Sequence, residues 1–376
     1  MIKNLCNVFY CGGDCAEDLQ THLGKHLKSI LGNHVPGADT ISRGVKEIAT
    51  DNSTFISKQG NEYDFNINTK LNKLNIKSLI LTQQFKKGVY YDFDYDNQII
   101  ATEKYDTKRT YKHTKGYFPG VATIGNKIVY IENRDGNANV KFEQASTLIR
   151  AYNLLKKNDI KINRSRMDAG SYSKEIINVV ASNSNLFYIR ANKSAELYRQ
   201  ITESDKWETI EINYKIYEVA SILFTQFCEE ENYRLVIMRE KSDDNQIDIF
   251  TGDTFIYRSI LTDDWQSTEK EVIEYYNQRG SSEKLFDVMN NDFGWKHLPC
   301  SFMNENTVFL IIMAMAKNFY NYFVERVAGV FEDITPTTRL KRFIFRFISV
   351  SGKWVYTGRQ WVLKLFTDRP YELLIT

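Results

Sequence analysis

The sequence is poor in cysteine, almost balanced in charge, and without a long unbroken apolar run. Five cysteines, Cys6, Cys11, Cys15, Cys228 and Cys300, are scattered over 376 residues, an odd count with no Cys-x-x-Cys pair. Cys11 and Cys15 would share one face of a helix, but no second Cys or His pair at metal spacing accompanies them. That argues against a structural zinc site and for reduced thiols in a cytoplasmic protein. The net charge of +2 neither requires nor excludes a nucleic-acid partner, so the distribution of charge has to decide. Residues Met1 to Tyr10 lack the apolar stretch of a secretory signal. The most apolar run, Val308 to Ala316, is too short to span a bilayer and is followed by Lys317 and Asn318, so it reads as part of a buried helix, and no membrane partner is expected. No internal repeat and no low-complexity segment is present.

What is there is enough apolar side chain for a large core, 43% hydrophobic against 26% charged, in a chain long enough for two or three packed units. Leu19, Leu23, Leu27 and Leu31 recur at helical spacing, Val35-Pro36-Gly37 turns the chain, and Asp39-Thr40 can cap a second helix from about Ile41. This pattern suits a helix-turn-helix-like DNA-binding unit, although a plain helical hairpin gives the same signal more often. From Ile76 onward the period shortens. Val89 to Asp94 and Gln98 to Thr102 alternate as strands, and Gly125-Asn126 joins two more as a hairpin. An amphipathic helix over 143–157, a strand over 160–164 and a helix from Ser173 follow. Strands, then helix, strand and helix describe the front half of a ribonuclease H-like α/β core. Residues 186–262 read as a mainly β insertion, including strands at Phe187, Trp207 to Tyr217, Arg234 to Arg239 and Asp248-Ile-Phe. Residues 266–291 and 303–329 read as helices.

Three acidic positions stand out as ligands for a hard divalent ion, which prefers carboxylate oxygens. Asp94 lies in Tyr91-Asp-Phe-Asp94, where alternation puts Asp92 and Asp94 on one side of a strand and aspartate is disfavoured by propensity. Solvated carboxylates on an exposed sheet edge are the plain alternative. Asp168 falls where a strand hands over to a helix, the end of the strand at which sites gather in α/β sheets, though a turn or cap aspartate looks the same. Glu283 shares a helical face with Tyr276 and Arg279, a combination foreign to a hydrophobic core. Arg279 could grip a phosphate with two hydrogen bonds and Tyr276 could position one, against the alternative of an exposed intrahelical Arg–Glu pair. Gly280, unfavourable inside a helix by about 1 kcal/mol, suggests close approach to the backbone there.

The run Tyr276-Asn-Gln-Arg279-Gly-Ser-Ser-Glu283, followed by Asp292-Phe-Gly-Trp295, resembles the signature region of bacterial insertion-sequence transposases of the Tyr-Arg-Glu-Lys branch. Asp92-Phe-Asp94 with Lys115-Gly-Tyr-Phe-Pro119 resembles the first-aspartate region of that family, Arg134-Asp-Gly-Asn137 the turn that follows it, and Asp168-Ala-Gly-Ser-Tyr172 its second-aspartate motif. The similarity runs from about residue 10 to the end. The resemblance implies a DDE-class DNA transposase in which Asp94, Asp168 and Glu283 hold two Mg²⁺ or Mn²⁺ ions. Its partners would be double-stranded DNA, as terminal inverted repeats and as target, and a second copy of the chain. Two departures stand out: the family's lysine seven residues after the glutamate is Asn290 here, with Lys284 and Lys296 nearby but unmatched, and the chain starts later than such relatives do, as a truncated copy would.

The organisation expected is therefore a helical DNA-binding region over 1–75, the first part of the core over 76–185, the β insertion over 186–262, the second part of the core over 263–335, and a basic, aromatic tail over 336–376. Arg109, Lys112 and Lys115, clustered with Lys104, Lys108 and His113 among Tyr105, Tyr111 and Tyr117, are expected to contact DNA, with a solvated loop as the alternative. The tail from Arg339 to Lys364 is basic and free of acids; some of its charges suit phosphate, while its aromatics, like Trp207 and Trp265, suit packing better. Two rival readings remain: an inactive remnant that only binds DNA, and a ribonuclease H-like nuclease without strand transfer.

Overall fold

The computed structural model describes all residues except 31, 195–196, 198–199, 202–205, 225, 228–232, 243–246, 248–251, 253 and 375–376. Leu31, Cys228 and the strand expected at Asp248-Ile-Phe lie outside the described residues.

The chain opens with helices α1 (Ile2–Tyr10), α2 (Gly24–Lys28) and α3 (Ala38–Ile48), followed by the hairpin β1 (Ser53–Ile56) and β2 (Glu62–Asn66), and α4 (Thr69–Leu81). The core continues as β3 (Tyr90–Asn97), a small sheet of β4 (Ile100–Ala101), β5 (Lys108–Arg109) and β6 (Lys115–Tyr117), then β7 (Gly120–Ile124), β8 (Lys127–Arg134), α5 (Gln144–Lys157), β9 (Lys161–Met167), α6 (Lys174–Ala181) and β10 (Leu186–Arg190). Then come β11 (Glu208–Ile212), β12 (Lys215–Phe224), β13 (Tyr233–Lys241) and β14 (Phe255–Thr262), α7 (Glu269–Asn277), α8 (Ser281–Asp292), α9 (Met303–Ala328), α10 (Leu340–Phe343), and a last hairpin of β15 (Gly352–Thr357) and β16 (Gln360–Leu365).

A mixed α/β architecture results, built on a sheet of order β1-β2-β8-β7-β3-β9-β10-β14-β13-β12-β11 among the described residues. At its centre β3, β7 and β8 run antiparallel, while β9 is parallel to β3 and β10 parallel to β9. The crossovers through α5 and α6 make the parallel pairings possible. The Gly125-Asn126 turn joins β7 to β8 as the sequence suggests, with Gly125 at φ 57°, a conformation that glycine reaches at no steric cost. The stretch expected as a β insertion prolongs the main sheet: its first strand, β10, pairs with β9, and β14 pairs with β10.

Three apolar clusters pack on the sheet, one of them under α7 with Tyr188, Val236 and Ile260. On one side Ile76 and Leu79 of α4 and the apolar faces of α5 and α6 pack with Phe93, Tyr95, Val129 and Phe187. On the other, α9 packs with α1, α3 and α8 against Ile128 and Ile131. By length and composition α9 could cross a membrane, which the nine-residue run alone could not, but most of it is buried in this body. The outer edge of β8 is paired to β2 only at Phe65–Arg134 and Asn66–Asn133. Over the rest, asparagines replace a strand. Asn318 of α9 accepts from Ile128 N at 3.0 Å and donates to Ile128 O at 2.7 Å. Asn72 of α4 accepts from Ile131 N at 3.0 Å and donates to its carbonyl at 2.8 Å. Buried backbone groups need such partners, and side-chain amides carry both a donor and an acceptor.

The N-terminal region differs from expectation. Residues 53–66, expected within the helical part, form a hairpin attached to the main sheet. Ile41 and Val45 of α3 lie in the same core as α9, so one face of α3 is packed into the body. The helix expected over 266–291 breaks into α7, a 3-10 turn over Gln278–Gly280, and α8.

Candidate metal centre

Three aspartates alternate along β3 and face one side: Asp92, Asp94 and Asp96. On the neighbouring parallel strand the register sets Arg164 beside Asp92 and Arg166 beside Asp94. The first pair is closed by a 2.6 Å contact from Arg164 Nη2 to Asp92 Oδ2. The second is bidentate and buried: Arg166 Nε and Nη2 donate to the two Asp94 oxygens at 2.7 and 2.9 Å. One residue past the last paired rung, Tyr95–Met167, the series changes. Asp96 has Asp168 as its neighbour instead of a third arginine.

Asp94, expected as a metal ligand, is engaged elsewhere. Its side chain is 5% exposed and both its oxygens are engaged by Arg166, so it stands as the buried half of an ion pair. The carboxylate that reaches the carboxyl end of the strands is Asp96. Burial pushes its pKa up to about 6; Arg279 opposes this and the negative charge of Asp168 adds to it. The signal that could have found it is the pair of runs Asp92-Phe-Asp-Tyr-Asp96 and Arg164-Ser-Arg-Met-Asp168, which match residue for residue and place acid beside base twice before placing acid beside acid.

Asp168 caps the short turn Ala169–Ser171, accepting from Gly170 N at 3.0 Å with one oxygen. Helix α7 is docked over these strands. The Tyr275 ring lies under both guanidiniums, 3.9 Å from Arg164 and 4.6 Å from Arg166, and Arg166 Nη1 donates to Tyr275 O at 2.7 Å. Tyr276, expected to touch DNA, is buried, and its hydroxyl donates to Met167 O at 3.3 Å. It holds the residue before Asp168 and is not open to a ligand.

Arg279 enters from the 3-10 turn. Its Nη2 lies 2.6 Å from Asp96 Oδ2, but Nε and Nη2 are buried without an aligned hydrogen-bond acceptor. Such unmet donors are costly unless an anion completes them. Gly280 follows at the start of α8. A Cβ there would meet open space, so neither helix-interior strain nor close approach of the protein's own atoms explains this glycine. Glu283 is exposed in the first turn of α8, four residues beyond Arg279. Among the described residues no hydrogen bond or ion pair joins it to either aspartate. The structure therefore brings together Asp96, Asp168 and Arg279, and leaves Glu283 exposed on α8.

The Arg134-Asp-Gly-Asn137 turn supports this centre from below. Arg134, fully buried, donates from Nη2 to Tyr95 OH at 3.1 Å and from Nη1 to Phe142 O at 3.1 Å, fixing the residue between Asp94 and Asp96. A Cβ on Gly136 would come within 2.3 Å of Gly116 O, so only glycine allows the small sheet to close over the turn. That sheet follows directly on β3 and carries Arg109, Lys112 and Lys115, all exposed. Tyr111 is exposed as well, and Tyr105 stacks on Phe302 at 5.7 Å. Tyr117 is buried and donates to Asp106, so it belongs to the core. In the insertion, Trp207 lies under Arg239, with the guanidinium 3.8 Å from its ring, while Trp265 is half exposed.

Fold and site together define a mixed α/β protein with an acidic centre at the carboxyl ends of adjacent parallel strands. The chain belongs to the transposase DDE domain group 1 family, which it matches over residues 8–376. Among solved structures, the cryo-EM structure of a piggyBac transposase synaptic complex with hairpin DNA is similar, with a TM-score of 0.48 and 11% identity over 92% of this chain and 68% of that one. No curated protein sequence matches the chain.

Proposed function

We propose that this protein cuts double-stranded DNA at the ends of a mobile element and joins the freed ends to target DNA, using Asp96, Asp168 and Glu283. The observation that carries the reading is the neighbouring Asp96 and Asp168 carboxylates with the Arg279 guanidinium against Asp96, in a chain of the transposase DDE family. The core order β8-β7-β3-β9-β10 suits a ribonuclease H-like fold.

The donor set fits a hard divalent ion. It consists of carboxylates only, and burial, with the negative charge of Asp168 adding to it against the opposing Arg279, makes ionisation of Asp96 costly, a cost that a bound cation would offset. Asp96 and Asp168 would hold Mg²⁺ or Mn²⁺, with Glu283 completing the set from α8. Such ions, when bound, would supply activation of the attacking oxygen and stabilisation of the leaving one.

The chain's own residues do the rest. Arg279 turns its free donors to a phosphate, exchanging part of its contact with Asp96 for a charge-assisted pair with the substrate. Tyr276 and the Tyr275 platform fix α7 against Met167 and so set the distance between Asp168 and the α8 helix. Arg109, Lys112 and Lys115 on the small sheet hold the DNA backbone next to the end of β3. Water attacks first; the freed 3′-hydroxyl then attacks a target phosphodiester, and each step exchanges one phosphoester bond for another or for a hydroxyl. Two ends have to be handled, so the working form on DNA is a homodimer, in a bacterial element of the Tyr-Arg-Glu-Lys branch.

The test is incubation of a labelled duplex carrying the element's end with Mg²⁺ or Mn²⁺, for the wild type and Glu283→Gln. Metal-dependent nicking and a joined product, both lost in the variant, support the reading. Nicking without joining points to a nuclease, and DNA binding without nicking by a folded wild type points to a remnant.

A further inference from the structure

The last rung of the central strands continues past the aspartate pair onto a third strand. Met167 of β9 is level with Tyr95 of β3 and with Ile189 of β10. The next residues, Asp96, Asp168 and Arg190, therefore stand side by side at the carboxyl ends of three neighbouring parallel strands. With about 4.8 Å between strands, this row is about 10 Å wide. Two residues lower the same row reads Asp94, Arg166 and Tyr188, and Tyr275 of α7 packs on both the arginine and the tyrosine. Alternation then turns Arg190 to the α7 side as well. Its charge acts on Tyr276 of α7 together with those of Arg279, Asp168 and Asp96, so all four groups surround that phenol.

Arg190 differs from every other arginine of the large sheet. Arg134 donates to Tyr95 OH and Phe142 O, and Arg164, Arg166, Arg234, Arg239 and Arg258 each pair with a carboxylate. Arg190 is exposed, and among the described residues no hydrogen bond or ion pair engages its guanidinium. An exposed arginine is well solvated, so the missing partner alone means little; its place decides. Were its task to neutralise Asp168, a bidentate contact like that of Arg166 with Asp94 would be expected, and none is formed. At the far side of the row Arg279 already leans on Asp96.

We propose that Arg190 is a substrate-binding residue that takes the backbone phosphate next to the one lying over Asp96 and Asp168, on the β10 side. The inference rests on the proposed reaction and deepens it by adding a second arginine to the site. A planar guanidinium with all its donors free suits two oxygens of one phosphate. A DNA strand carries a charge for about every 3.4 Å of helix axis, so a row of this width spans more than one phosphate. Tyr276, buried between the two arginines and bonded to Met167 O, keeps them apart. Phosphate contacts fix the register of the duplex without reading its sequence. Arg190 thereby helps to set which bond lies over the aspartates.

The test uses the full chain and duplexes carrying the element's end, in which a neutral methylphosphonate replaces one phosphate at a time. Affinity is measured without metal, and single-turnover cleavage with Mg²⁺, for the wild type, Arg190→Ala and Arg190→Lys. Arg190→Ala should keep the unfolding midpoint, bind the duplex about tenfold more weakly, and lower the slope of log affinity against log salt by roughly one. Arg190→Lys should restore the slope and only part of the affinity, since an ammonium cannot bind two oxygens in the plane of a fork. One methylphosphonate, beside the cut bond, should cost the wild type about tenfold and cost Arg190→Ala nothing further, a coupling that a merely structural arginine does not produce. Binding and cleavage by Arg190→Ala equal to the wild type, or penalties at every phosphate that are the same in both proteins, overturn the proposal and leave the reaction standing. Because the coupling is read in binding, it decides the role of Arg190 even where the wild type binds without cutting, an outcome that removes the proposed reaction alone. A wild type that does not bind the duplex overturns both.

Discussion

Asp94 and Asp96 are separated by one tyrosine, face the same way, and play opposite parts. Asp94 neutralises a buried arginine. Removing its charge leaves Arg166 without its counter-ion, and breaking a buried pair of this kind costs about 3–5 kcal/mol. Asp94→Asn is accordingly expected to lower stability by that order in denaturant unfolding. Asp96 behaves the other way. Its folded pKa of about 6 lies above the ordinary value of 3.8, so the fold favours the protonated form. Stability from this group is therefore fully present below pH 4, falls as pH rises to about 6, and stays reduced above it. Asp96→Asn should remove that decline, so that at neutral pH only the loss of its part-exposed contact with Arg279 weighs against the variant. A loss of stability in Asp96→Asn equal to that in Asp94→Asn would contradict this division of roles.

The difference between the two aspartates was not legible from β3 alone, because period-2 alternation treats them alike. It depends on which residues of β9 lie alongside, and parallel register is set by packing far from either strand. Once the strands are aligned, the acid-base pattern of 92–96 against 164–168 is plain. Tyr276 shows a similar limit. Its spacing to Arg279 and Glu283 was read as a single helical face, but the 3-10 turn at Gln278–Gly280 rotates that face, so the phenol goes inward while Glu283 stays out.

At the scale of elements, α9 and β8 depend on polar groups in apolar surroundings. Asn318 satisfies both backbone groups of Ile128. In Asn318→Leu two buried groups lose their partner at about 1–3 kcal/mol each, and a fall in the unfolding midpoint is the readout. Its neighbour Lys317 is wholly buried, donates to the Asn126 carbonyl, and has its pKa lowered to about 7 by burial, with Lys127 adding to the effect. Between pH 7 and the unfolded value near 10 the unfolded chain holds the proton and the folded one does not. Stability should then rise with pH across that window, by at most about 1.4 kcal/mol per unit. Lys317→Met should be more stable at pH 7 and flat across the same range. A wild type indifferent to pH between 7 and 9 would show that the ammonium is compensated. Neither feature was readable in sequence: Lys317 and Asn318 look like the polar end of an apolar run. The Gly125-Asn126 hairpin and helices α5 and α6, in contrast, announce themselves through local turn chemistry and spacing.

For the whole molecule, the class of fold was legible because strands and helices alternate in the order that a parallel crossover needs. The continuation of the insertion as part of the same sheet was not, since strand neighbours are fixed by non-local pairing. The β hairpin within the N-terminal region was hidden for the same reason. The central claim is that the catalytic carboxylates of the core are Asp96 and Asp168, closed by Glu283, with Asp94 structural. Its most direct test is single-turnover cleavage of an end-bearing duplex by Asp94→Asn and Asp96→Asn, with Mg²⁺ in excess and at a temperature where both variants are folded. The account predicts that Asp96→Asn abolishes cleavage while still binding DNA, and that Asp94→Asn cuts, at a rate reduced only as far as its weakened packing requires. Cleavage that survives in Asp96→Asn and vanishes in a folded Asp94→Asn would contradict it.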